Sequence, residues 1–168
     1  ILDVAERLAH TRGFNGFSDG DITKELGITD ASLHFHFPEK ASLGRALIDR
    51  YSASFTEALS RIEKSGAPAP EQLERYTAIY AGMLKSGRIC LCGMLAAEYN
   101  TLPSSMQEAI RAFFDFNERW LARALESGRT GWMIGSPLVD DRLPDETIES
   151  LRGALQQPTP ERVFQIKR

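Results

Sequence analysis

The stretch from Phe17 to Lys40, FSDGDITKELGITDASLHFHFPEK, admits few backbone solutions. Ser18 is a favoured helix N-cap, and Asp21 three residues later is a carboxylate variant of the capping box. Phe17 and Ile22 flank that cap at the spacing of a hydrophobic staple. Ile22 and Leu26 lie one turn apart and are predicted to face inward. Gly27 can take the left-handed conformation that ends a helix. Thr29 can cap the next helix, which is predicted to run through Phe37 with Leu33 and Phe37 as its buried side. Pro38 cannot continue that helix, and Glu39 opens another. Two short helices meeting at a glycine turn form a helix-turn-helix, the arrangement with which many proteins read a DNA groove.

The flanking sequence is helical throughout. Residues 1–12 carry Leu2, Ala5, Leu8 and Ala9 on one face, Gly13 stops them, and Phe14 and Phe17 are predicted to plug a three-helix core. From Glu39 to Lys64, Leu43, Leu47, Tyr51, Phe55, Leu59 and Ile62 form an apolar stripe on one long helix, able to carry a shift from one half of the chain to the other. Residues 65–70 (SGAPAP) break it. A fifth helix is predicted with Leu73, Tyr76, Tyr80, Met83 and Leu84 as its apolar side, closed by Ser86-Gly87. The segment Cys90 to Tyr99 is apolar nearly all round and belongs at a centre. Residues 104–127 should form another long helix closed by Ser127-Gly128. Beyond it a loop around Gly131 to Pro144 and a helix from Thr147 to Gln157 are predicted. The fold class is all-α.

Charge complicates a DNA-reading role. The chain carries a formal net charge of -3. Residues 1–50 hold six cations (Arg7, Arg12, Lys24, Lys40, Arg45, Arg50) against eight carboxylates (Asp3, Glu6, Asp19, Asp21, Glu25, Asp30, Glu39, Asp49). Phosphate neutralisation supplies much of DNA affinity, so a strong binder normally shows a basic face here. The chain opens inside a helical pattern without Met; a basic arm in front of Ile1 would supply charge, and so would clustering of the few cations on one face. No apolar run approaches a membrane span, and Asp3, Glu6 and Arg7 interrupt any signal peptide. A cytoplasmic location and no membrane partner are expected.

The block resembles the TetR-like (TetR/AcrR) transcriptional regulators. The matching letters are Gly13-Phe14, Ser18, Asp21-Ile22, Leu26-Gly27-Ile28, Ser32-Leu33, His36-Phe37, Lys40 and Leu43. The resemblance implies a helix-turn-helix DNA-binding domain over residues 1–45 and a helical ligand-binding and dimerisation domain over 46–168. It implies a repressor, not an enzyme, that binds a near-palindromic double-stranded operator as a homodimer and is released by a small apolar or aromatic inducer. By motif position Asp30, Ala31 and His34 would face bases, and Thr29, Ser32, Phe35, His36 and Lys40 would face phosphate or sugar. Gly20 stands where the family commonly has Arg or Lys. The family usually closes with two long helices, where residues 129–168 offer one short helix and a proline-containing tail.

Other chemistry is thin. Tyr76, Tyr80, Met83, Met94, Phe113, Phe114 and Trp120, with Phe116, could line a pocket for the inducer, although each could equally be ordinary core. His34 and His36 point about 200° apart on a helix and could not share a metal ion. Cys90 and Cys92, near a helix start, could act as a redox pair, or simply fill the core. No nucleophile elbow or phosphate loop is present, and no cofactor is expected. The alternative to a DNA-binding regulator is a helical redox-sensing or protein-interaction module built on Cys90 and Cys92.

Overall fold

The computed structural model describes residues 1–132. Seven helices follow one another: α1 (Leu2–Arg12), α2 (Asp19–Leu26), α3 (Asp30–His36), α4 (Lys40–Lys64), α5 (Ala69–Lys85), α6 (Leu91–Ala96) and α7 (Ser104–Trp132), with a short 3₁₀ turn at Tyr99–Thr101.

Local chemistry explains the boundaries of the first three. The Asp21 carboxylate accepts from the Ser18 N–H at 2.8 Å and from its hydroxyl at 2.7 Å, opening α2. Gly27 closes α2 at φ 65°, and the Ile28 N–H reaches back to the Thr23 carbonyl at 3.1 Å. Thr29 Oγ1 accepts from the Ser32 N–H at 3.2 Å and opens α3. Leu33 is buried, while Phe37 lies just past the end of α3 and packs, half-buried, against the core. Leu26 differs from expectation: as the last residue of α2 it reaches the rim and is 37% exposed.

The long α4 runs beside α1, α5, α6 and α7. Leu43, Leu47, Phe55, Leu59 and Ile62 are buried and Tyr51 half-buried along it. On the far side of the Ser65–Pro68 break, α5 begins at Ala69, with Pro70 in its first turn where a missing N–H costs nothing. Leu84 is not part of its inner face and stands 65% exposed. Leu91, Cys92 and Leu95 of α6 are fully buried. The buried side chains of α4 and α6 belong to one continuous apolar cluster running from Ala5 to Ala124.

Ser127-Gly128 does not end α7, which continues to Trp132. Gly128 answers a packing need instead: a Cβ there would lie 2.9 Å from the Ala69 Cβ of α5. The predicted loop beyond residue 132 and the predicted helix Thr147 to Gln157 lie outside the described residues.

Candidate functional site

Of the seven residues of α3 only Leu33 is buried, so Asp30, Ala31, Ser32, His34, Phe35 and His36 all present themselves to solvent, with Thr29 at their head. Two of them already have work within the block. Asp30 accepts from the Thr23 hydroxyl at 2.8 Å, which ties α3 to α2. His34 Nε2 lies 4.0 Å from the Asp19 carboxylate. Phe35 is 83% exposed, its ring edge-on to His36 at 5.3 Å.

Lys40 departs from the expected phosphate contact. Its ammonium turns inward and donates to the Phe14 carbonyl at 2.7 Å and to the Phe17 carbonyl. It stands 4.8 Å and 4.5 Å from the centroids of those two rings. Burial lowers its pKa, while Asp19, Glu98 and Asp21 pull the other way. The reason is geometric: the turn into α4 brings the side chain over the end of the α1–α2 loop, whose carbonyls lack helical partners.

The other cations of the block are largely engaged too. Arg7 pairs with Glu25, and Arg12 with Asp21 at 3.2 Å. Arg45 pairs with Asp49 at 2.9 Å, and Arg50 binds both Asp3 and Glu6. Hydrogen bonds from Ser18, then Arg12, hold the Asp21 carboxyl below its usual value. Lys24, exposed on α2, is the one cation of residues 1–50 without a carboxylate or hydrogen-bond partner among the described residues.

The aromatic residues of the second half form a packed nest. Phe55 meets Tyr51, Tyr76, Tyr80 and Phe113 at 5.3 to 6.1 Å between centroids. Tyr76 also stacks on Trp120. The Tyr76 hydroxyl donates to Asn117 Oδ1 at 3.3 Å, and the Asn117 amide donates to the Phe113 carbonyl at 2.8 Å. Tyr51 donates to Met83 Sδ at 3.5 Å. Burial raises the pKa of all three phenols, Tyr51, Tyr76 and Tyr80. Trp120 Nε1 is buried without an acceptor. Met94 packs half-buried against this core. Phe114 does not join it; it faces outward, 42% exposed, with its ring centroid 5.4 Å from that of Phe113.

Cys90 caps α6, its Sγ accepting from the Gly93 N–H at 3.3 Å. Cys92 is fully buried, and burial, reinforced by Cys90, pushes its thiol above the ordinary range. A protonated, inaccessible thiol is a poor redox nucleophile. Among the described residues no group of three His, Cys, Asp or Glu side chains converges to hold a metal. A separate polar cleft of about 510 Å³ lies between α1, α4 and the α5–α6 connection, lined in part by His10, Arg50 and Arg88. His10 there has its pKa lowered by burial, and its Nδ1 lacks a partner. Tyr51, Phe55 and Asn117 escaped the sequence reading of the nest because the first two look like ordinary members of the α4 stripe and the third is polar.

Residues 1–47 match the family model for bacterial regulatory proteins of the tetR family. A solved TetR transcriptional regulator from Legionella pneumophila is 31% identical, superposes with a TM-score of 0.70, and is matched over 92% of this chain and 82% of that one. The chain belongs to the TetR family. A TetR-family regulator from Agrobacterium tumefaciens is 29% identical with a TM-score of 0.75, over 92% of this chain and 83% of that one. The transcriptional regulator AcuR of Cereibacter sphaeroides is 29% identical over 83% of this chain, but the match spans 64% of AcuR. A 46-residue stretch is also 63% identical to the carbamoyl phosphate synthase large chain of Gemmatimonas aurantiaca, 4% of that enzyme. This TetR-family chain is a transcriptional regulator rather than an enzyme. No helix among its described residues is long and apolar enough to cross a membrane.

Proposed function

We propose that this chain is a ligand-responsive operator binder, a repressor that acts as a homodimer in the cytoplasm. Residues 1–45 form its DNA-binding part and residues 46–168 its sensing and dimerising part. The observation that carries this reading is the exposed face of α3, where Ala31, Ser32, His34, Phe35 and His36 stand clear of the fold. Ala31 and Phe35 suit thymine methyls and sugar, while Ser32 and the histidines can donate to phosphates or base edges. Asp30 retains one free oxygen and can accept from a cytosine amine.

The sensing site is placed at the nest of Tyr76, Tyr80, Met83, Met94, Phe113 and Trp120. The orphaned Trp120 N–H and the Tyr76–Asn117 pair are polar groups set in apolar walls, the mixture that fixes the orientation of a small apolar or aromatic inducer. Entry of such a ligand requires the rings to part, which favours a form with different spacing between the two recognition helices.

The test is selection of duplexes from a random DNA pool by the folded chain. Enrichment of a near-palindrome supports a dimeric operator binder. A folded protein that enriches no sequence overturns the reading.

A further inference from the structure

The loop between α1 and α2 is gripped from the sensing half by one side chain. Glu98, just after α6, places Oε1 2.9 Å from the Phe14 N–H and Oε2 2.9 Å from the Asn15 N–H. The Asn15 carboxamide donates to the same Oε2 at 2.7 Å and to the Thr101 hydroxyl at 2.8 Å. Thr101 in turn donates to the Glu98 carbonyl at 2.7 Å. Two successive backbone amides and a side-chain amide thus converge on one carboxylate, a small anion cradle filled from within the chain. Gly13 is shaped for it: φ is 77°, and a Cβ would lie 2.3 Å from Glu98 Oε1. The opposite side of the loop is held by Lys40, whose ammonium takes the Phe14 and Phe17 carbonyls. The Phe14 and Asn15 amides thus go to the α6 side, and the Phe14 and Phe17 carbonyls to the start of α4.

We infer that Glu98 is a positioning residue that fixes the pose of the helix-turn-helix relative to the sensing half, and so sets operator affinity without touching DNA. This deepens the operator-binding reading and rests on it. The argument is one of leverage and location. α6 carries Cys92 and Leu95 into the core and packs on α1, α4 and α7. Anything that shifts α6 therefore pulls on the α1–α2 loop through charge-assisted bonds, which are stronger than neutral hydrogen bonds. With the carboxylate seated, one pose dominates. Without it several poses compete, and the fraction that matches the operator's half-site spacing falls.

The test uses the full chain and the duplex enriched from the random pool. Glu98→Gln keeps the bulk but offers a single acceptor oxygen in place of two. Amide hydrogen exchange at Phe14 and Asn15 is expected to speed up. Affinity for the enriched duplex should fall by at least about fivefold, the low end of coupling between sites, while affinity for a scrambled duplex stays put. A merely stabilising role would lower the melting temperature and leave the ratio of the two affinities unchanged. Asn15→Ala, which removes both carboxamide bonds, is expected to act in the same direction and to be non-additive with Glu98→Gln. It carries the test alone should the first variant not fold. Faster exchange with an unchanged affinity ratio overturns the inference, as does unchanged exchange. A wild-type chain that enriches no duplex overturns the operator reading itself, a result distinct from variants that bind as wild type does.

Discussion

Trp120 stacks on Tyr76, ring centroids 5.4 Å apart and planes 14° from parallel. The pair joins α7 to α5 at the floor of the aromatic nest, and the indole N–H beside it finds no acceptor. Trp120→Ala should cost about 3–5 kcal/mol in urea denaturation followed by far-ultraviolet circular dichroism. Trp120→Phe should cost less than about 1.5 kcal/mol, because it removes an unsatisfied donor along with the area it loses. Equal losses in the two variants would mean that the indole N–H is satisfied in solution.

His10 supplies a pH dependence. Burial lowers its pKa from 6.5, opposed by Glu6 and assisted by Arg88. The unfolded chain therefore binds this proton more tightly than the folded one. Stability from His10 is present in full above 6.5 and is lost as pH falls through the lowered folded-state value. Unfolding free energy measured against pH should dip on the acid side in wild type, and His10→Gln should flatten that part of the curve. A variant curve of the same shape would sink the assignment.

Gly20 offers a gain of function. A Cβ there meets only Ser18 Oγ at 3.7 Å, so a longer side chain has room. With most cations of the block already paired, DNA binding by this chain should depend weakly on salt. Gly20→Arg is expected to tighten binding to the enriched duplex and to steepen the slope of log affinity against log salt by about 1. No change in slope would mean that residue 20 faces away from the phosphates.

Gly128 tests the close approach of α5 and α7. Gly128→Ala should gain about 1 kcal/mol of helix propensity. The clash with Ala69, at 2.9 Å, outweighs that gain, for a net loss on the order of 1 kcal/mol by thermal denaturation. Ala69→Gly in the same chain should recover most of it.

The ends of the first three helices were readable to within about a residue because they are written in short-range chemistry: Ser18 with Asp21, Gly27, Thr29 with Ser32. The same local reasoning misjudged Gly128, which looks like a stop and is a packing contact, since nothing nearby in sequence announces Ala69. Leu84 and Phe114 carry helical spacing that periodicity takes for core, yet they sit at the edge of a stripe wider than the face it covers. Lys40 matched its motif position and still points inward, because the carbonyls that capture it belong to residues 14 and 17. Glu98 was invisible for the same reason: its partners lie 83 and 84 residues away.

Gly44 has no side chain, and into that gap on α4 come Met106 of α7 and Phe14 of the α1–α2 loop; a Cβ would lie 2.4 Å from the Met106 sulfur and 2.6 Å from Phe14 Cζ. The DNA-facing block and the sensing bundle therefore interlock at a position one residue before the boundary that sequence suggests between them. A cut at residue 45 would pass through the middle of a shared core and part Phe14 from Met106. The two parts are expected to melt as one cooperative unit, and the calorimetric trace of the chain should hold a single peak whose enthalpy matches its van't Hoff value.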